Sequence, residues 1–247
     1  MLNIVRRVPR WGRWLLLVLF LGIVFAGVYV GLRYFRGSDS NDLIDRWFND
    51  PSSRPGLTTA MGRNACPDAP FILPSDGFVG LLWNDPARPY SGLNPHSGID
   101  IFGDGAPGTV PVYAAYGGTL SRLSDWVASV IIRHDDPLQP GRVIWTYYTH
   151  MASRDGSQSF ISSEFPPGTA NQPITQGTLL GYQGEFAGAG AAPIGMHVHF
   201  SIVQSDADGN FKNESHIGNT LDPSPYLGMT LNIGDSPRRP VHCQIAE

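Results

Sequence analysis

Five side chains in three places could do chemistry in this chain: His96 and Asp100 in PHSGID, His150 in YYTHM, and His197 with His199 in MHVHF. Imidazole nitrogen and carboxylate oxygen together suit zinc. A catalytic zinc takes three protein ligands, often two histidines and a carboxylate, and keeps a fourth position for water or substrate. His96, Asp100 and His199 could form such a set, leaving two histidines for proton transfer near neutral pH. A hydrolase is the chemistry this constellation favours.

The elements that must position these groups read as strands. GMHVHFSIV is β-branched and aromatic, and strand side chains alternate faces, so His197 and His199 share a face while Val198 and Phe200 pack on the other. The two histidines then lie roughly 6–7 Å apart along the strand. That is too far for His197 to be an automatic fourth ligand, and near enough for it to touch a substrate. GRVIWTYYTHMAS reads as a second strand ending at His150, and the same alternation puts Tyr148, two residues earlier, on the His150 face as a candidate oxyanion donor. His134, His216 and His242 carry no comparable pattern; a lone histidine is more often structural, and His134 simply closes the strand VASVIIRH.

At these residues the chain resembles the LytM/lysostaphin-type zinc endopeptidases, which cleave stem peptides or cross-bridges of peptidoglycan. The resemblance rests on HSGIDIFGDGAPGTVPVYAAYGGTLSRL, VIIRHDD, YYTHM, GTLLGYQGEFAGAG and MHVHFSI, in the family's order, and covers roughly residues 70–230. It implies a mostly β, compact antiparallel fold with a groove across the sheet. Carried over position by position, it implies His96, Asp100 and His199 as ligands of one zinc ion, and His150 and His197 as the catalytic pair. Three features depart from the family. The turn FGDGAPGTVPVYA is slightly long, Ser153 to Gln176 exceeds the usual short connection, and Ser201 stands where many members have Glu.

The first 36 residues differ from the rest. Trp14 to Leu32 is an uncharged apolar run, long enough at about 1.5 Å per residue for a hydrocarbon core of about 30 Å, with Arg6, Arg7, Arg10 and Arg13 before it. A single-pass anchor with a cytoplasmic N-terminus and an exported remainder is expected. A cleaved signal peptide is the rival, but its apolar region is usually shorter and ends at a small-residue site. Six of the 17 basic residues and none of the 21 acidic ones precede Asp39, leaving 11 basic against 21 acidic. Such an acidic surface argues against nucleic acid as a partner. Peptidoglycan and, through the N-terminal helix, the membrane are the expected partners.

The organisation expected is a cytoplasmic segment 1–13, a transmembrane helix 14–32, a linker 33–69 with a short helix around Leu43 to Phe48, a peptidase domain 70–230 and a tail 231–247. Cys66 and Cys243 bracket the domain. An oxidising space permits a disulfide between them; zinc ligation is the alternative, though their spacing matches no zinc motif. The function expected is a membrane-anchored zinc endopeptidase acting on peptidoglycan amide bonds. Its rivals are a non-catalytic regulator of other wall hydrolases and a protease acting on non-wall proteins.

Overall fold

A computed structural model describes residues 10–35 and 38–244, with side chains in the first segment described at 11, 14–25, 27 and 28. The chain divides into two units, Met1–Gly37 and Ser38–Glu247. In the first, helix α1 (Arg10–Phe35) follows the apolar run, whose residues lack the Pro and internal charge that would break it. Its side chains from Trp14 to Phe25 are largely exposed. No helix among the described residues is long and apolar enough to cross a membrane. The described run 14–25 covers about 18 Å at the α-helical rise. Most of the expected span beyond Phe25, to Leu32, involves side chains outside those described, and the expected cytoplasmic segment lies outside the described residues up to Pro9.

The second unit begins with α2 (Ser40–Asn49) and a 3-10 turn (Pro51–Gly56), followed by ten strands. These are β1 (Phe78–Leu81), β2 (Ile99–Phe102), β3 (Pro111–Tyr113), β4 (Gly118–Ser121), β5 (Val130–Asp135), β6 (Val143–Thr149), β7 (Gln172–Ile174), β8 (Leu179–Tyr182), β9 (Val198–Gln204) and β10 (Thr220–Leu221). One sheet runs in the order β1-β2-β9-β6-β5-β4-β7, with β10 also on β9; β3 and β8 form a two-stranded sheet. All the strand pairs are antiparallel.

Alternation decides what each face does. Ile99 and Ile101 of β2, Ile144 and Tyr148 of β6, and Val198, Phe200 and Ile202 of β9 enter one core with Phe71, Val79, Leu120 and Ile132. The odd-and-even partners on the same strands, Asp100, Thr149 and His199, are thereby turned to the opposite face. Central strands that give alternate residues to this core cannot slip by a residue, because a slip would turn every core side chain to the opposite face. That is how the core fixes the register of the site.

Two boundaries differ from expectation. Residues 38–69 are not a linker but part of the folded unit: Trp47 is 1% exposed and packs with Leu57, Phe78 and Phe102, with Leu43 and Ile44 alongside. The polar, Pro-rich composition hid a one-sided helix whose apolar face meets β1. The tail likewise folds back, with Leu231 and Val241 buried in the main core. Cys66 and Cys243 are joined by a disulfide across 177 residues, so the C-terminal tail is tied to the segment that precedes β1. In the chain-entropy model a loop of that length contributes about 5 kcal/mol.

Candidate metal centre and groove

β2 and β9 pair so that Asp100 lies directly opposite His199, and β6 and β9 pair so that Thr149 lies opposite His199. His96 precedes β2 and reaches the same point. Gly98 of the H-x-G-x-D motif allows this approach: a Cβ there would run into the Phe200 carbonyl and come within 2.9 Å of the His199 ring.

Nε2 of His96, Oδ1 of Asp100 and Nδ1 of His199 converge, with His96 to His199 at 2.9 Å, His199 to Asp100 at 2.9 Å and His96 to Asp100 at 3.1 Å. All three residues are buried. In a tetrahedral zinc site with ligand bonds of about 2.0–2.1 Å, adjacent donor atoms sit roughly 3.3 Å apart. The trio needs only a few tenths of an ångström of spreading to accept the ion. The outer hydrogen bonds fit as well. Nδ1–H of His96 donates to the Leu82 carbonyl at 3.0 Å, which leaves Nε2 with its lone pair aimed at the trio. His199 is turned the other way: Nδ1 faces the trio, and Nε2, buried without a hydrogen-bond partner, points toward Oε2 of Glu214 at 3.7 Å. The residues present therefore fit a divalent cation of zinc's preferences.

The charges agree with that reading. Burial would raise the Asp100 pKa, but His96, His197 and His199 around it hold the carboxyl well below its ordinary range. On His199 burial opposes charge and is outweighed by Asp100 and Glu214, which push the imidazole up to about 10. Asp100 is thus an anion, 4% exposed, in a place that draws positive charge.

His150 and His197 flank the trio with ring centroids 4.5 Å apart. Both are locked in one tautomer. Nδ1–H of His150 donates to the Phe186 carbonyl and Nδ1–H of His197 to the Gly195 carbonyl, each at 2.7 Å, so each presents an unprotonated Nε2. That of His197 is 3.5 Å from Oδ2 of Asp100. Burial lowers both pKa values, and that of His150 falls to about 3 with the help of neighbouring His197. His150 has φ +73°, a left-handed conformation that costs a non-glycine residue and concentrates at functional sites.

That backbone turn corrects the reading of Tyr148. Because His150 leaves the strand geometry, alternation no longer links it to Tyr148. Tyr148 faces the core, fully buried, and its hydroxyl oxygen accepts the Ala115 N–H at 2.8 Å. Tyr147 takes the groove face instead, its ring 6.2 Å from that of His199 and its hydroxyl 3.2 Å from Ser129. The groove is a cavity of about 610 Å³ that Tyr90, Trp126, Tyr147, His150, His199 and Glu214 help to line.

Glu214 is a residue of the candidate site that the sequence did not announce. It lies beyond β9 in the polar stretch KNESH, its Oε2 3.3 Å from the Ser97 hydroxyl, and nothing in its spacing marks it. Ser201 sits opposite Tyr147 with its buried hydroxyl unpaired. His134 is structural: its nitrogens bind the Gly117 carbonyl and the Thr146 hydroxyl, each at 2.8 Å.

No family model and no curated protein matches the chain. Among solved structures, it is similar to the catalytic domain of the peptidase lysostaphin from Staphylococcus simulans, with 20% identity over 54% of this chain and 79% of that one and a TM-score of 0.35. Against a second structure of lysostaphin from the same organism the match has 18% identity, covers 70% of this chain and 53% of that one, and has a TM-score of 0.37. A zinc-containing peptidase from Vibrio cholerae is similar at 17% identity over 67% of this chain and 39% of that one, with a TM-score of 0.33. At such values the reading of the site rests on its residues rather than on the superpositions. These three solved chains are described as peptidases.

Proposed function

We propose that the protein is a zinc endopeptidase that hydrolyses amide bonds of peptidoglycan peptides. The observation that carries this reading is the convergence of His96 Nε2, Asp100 Oδ1 and His199 Nδ1 beside two histidines, His150 and His197, whose Nδ1–H groups are each held by a backbone carbonyl. His96, Asp100 and His199 would hold the ion, whose chemistry when bound is to polarise a carbonyl and to acidify water.

The protein's own groups do the rest. With Nδ1 committed to backbone carbonyls and the ring held neutral by burial, Nε2 of His150 or His197 accepts the proton lost by the attacking water as its oxygen bonds to the scissile carbon. Cleavage of the C–N bond then needs that proton on the leaving nitrogen, and the partner imidazole, with ring centroids 4.5 Å away, shares its delivery. Water and one amide become one carboxylic acid and one amine. The open groove accepts an extended peptide along the sheet, where aromatic Tyr90, Trp126 and Tyr147 offer flat apolar walls.

We place the peptidase unit outside the cytoplasmic membrane, anchored by the apolar N-terminal helix with its N-terminus in the cytoplasm. The arginines before Trp14 support that orientation, and the Cys66–Cys243 disulfide suits an oxidising compartment.

The test is incubation of the zinc-loaded full-length chain, in detergent, with purified peptidoglycan and separately with casein. Mass spectrometry of new fragments is expected to find peptidoglycan peptides cut at an amide bond. Intact peptidoglycan beside degraded casein would move the reading to a general protease, and two intact substrates to a non-catalytic role.

A further inference from the structure

His197 is held by two neighbours, and both rest on one side chain of helix α2. The first is Gly195, whose carbonyl accepts Nδ1–H of His197 at 2.7 Å. The ring of Phe48 lies against Gly195 so closely that a Cβ there would fall far inside van der Waals contact with Cζ, and 2.8 Å from both Cε atoms. The second is Phe102, whose ring lies 4.9 Å from that of His197 at an interplanar angle of 30°. Phe48 meets Phe102 edge-on, with centroids 5.6 Å apart and planes at 87°.

Phe48 sits near the end of α2 (Ser40–Asn49), in the segment whose composition reads as a linker and outside the stretch 70–230 that carries the family resemblance. It is 40% exposed, unlike its neighbour Trp47, which is fully buried and fastens the helix to β1. An apolar ring this exposed adds little to the core. It touches both supports of one histidine, Gly195 and Phe102. The helix is also fixed at its start, where Ser40 bonds Asp85 and receives a hydrogen bond from Arg239 at 2.7 Å. Phe48 is therefore presented by a rigid element and not by a loose strap.

We propose that Phe48 is a positioning residue for His197. It closes the space over Gly195 so that the carbonyl stays aimed at Nδ1–H, and it backs Phe102 against the imidazole face. The segment between the N-terminal helix and the sheet is on this view part of the working site. The proposal rests on His197 acting as a proton carrier in the proposed peptidase, but its structural half can be measured without turnover.

The experiment uses the full-length chain in detergent, loaded with zinc, as wild type, Phe48→Ala, Phe48→Leu, Gly195→Ala and the double variant Phe48→Ala/Gly195→Ala. The readouts are zinc content, kcat and KM, and the low-field proton resonance of His197 Nδ1–H, identified by its loss in His197→Ala. Phe48→Ala is expected to keep one zinc and a KM within about twofold. It should lose or broaden that resonance and lower kcat by about tenfold, the scale of a small misplacement of a reacting group. Phe48→Leu should move both readouts in the same direction by less, and it serves if Phe48→Ala does not fold. Gly195→Ala alone should be at least as damaging, whereas the double variant, whose new methyl occupies the space the ring leaves, should recover part of the resonance. An unchanged resonance in Phe48→Ala, or a double variant as damaged as the two single changes combined, would overturn the proposal. If the wild type cuts no peptidoglycan, the peptidase reading falls while the resonance still decides the positioning role.

Discussion

Glu214→Gln isolates the carboxylate that backs the metal centre. The side chain keeps its shape, so the change removes charge while sparing packing, and Oε2 of Glu214 is 3.7 Å from Nε2 of His199. Full unit charges at that separation attract by roughly 4–5 kcal/mol at an effective dielectric constant of about 20. With Nδ1 engaged by a cation, the outer N–H of His199 carries only a fraction of a unit charge. A third of that energy is about 1.5 kcal/mol, or about tenfold in an equilibrium constant, at the lower end of the 10- to 100-fold usually lost with an outer-shell partner. Competition for zinc against a chromophoric chelator at pH 7.5 reads the affinity directly. The dissociation constant is expected to rise by about 10-fold in Glu214→Gln. An unchanged constant would refute the claim that Glu214 acts through His199, and a rise in His216→Gln of the same size would show that the effect belongs to any polar change in that loop.

Three further outcomes are expected. Cys66→Ser/Cys243→Ser should lower stability by about 2–5 kcal/mol and the melting temperature by about 5–15 °C, checked by thermal melts with reductant as a parallel arm. Burial holds the folded His134 imidazole down at about 4 against its ordinary value of 6.5. The unfolded chain therefore binds a proton that the folded one does not, and this contribution is complete above pH about 6.5 and lost as the pH falls toward 4. Its size, about 3 kcal/mol as an upper figure, should flatten out in melts of His134→Gln between pH 7.5 and 4.5. Tyr148→Phe should cost about 1–3 kcal/mol by leaving the Ala115 N–H unpaired while turnover at low temperature stays within twofold, measured by fragment release from peptidoglycan.

Much of the site was legible because alternation on a strand is a strict rule. The H-x-H spacing alone places His199 beside His197, and the core preference of Val198, Phe200 and Ile202 turns both histidines to the opposite face of the sheet. The same rule misassigned Tyr148, since the left-handed φ of His150 ends the alternation one residue before it is needed, and a non-glycine residue gives no sign of that turn. Glu214 was illegible for a different reason: a loop brings it to His199 by tertiary path, and its own neighbours are ordinary polar residues. The segment 38–69 was misread as a linker because only a few apolar residues, Leu43, Ile44, Trp47 and Leu57, carry its packing, too few to outweigh the surrounding Pro, Ser and Asp in a compositional reading.

The division of five residues into three ligands and two proton carriers is tested most directly by zinc stoichiometry, measured by native mass spectrometry of folded single variants. His96→Ala, Asp100→Ala and His199→Ala are expected to lose the ion, and His150→Ala and His197→Ala to retain one per chain. Zinc retained in all three ligand variants, or lost with equal ease from His150→Ala and His197→Ala, would contradict the account.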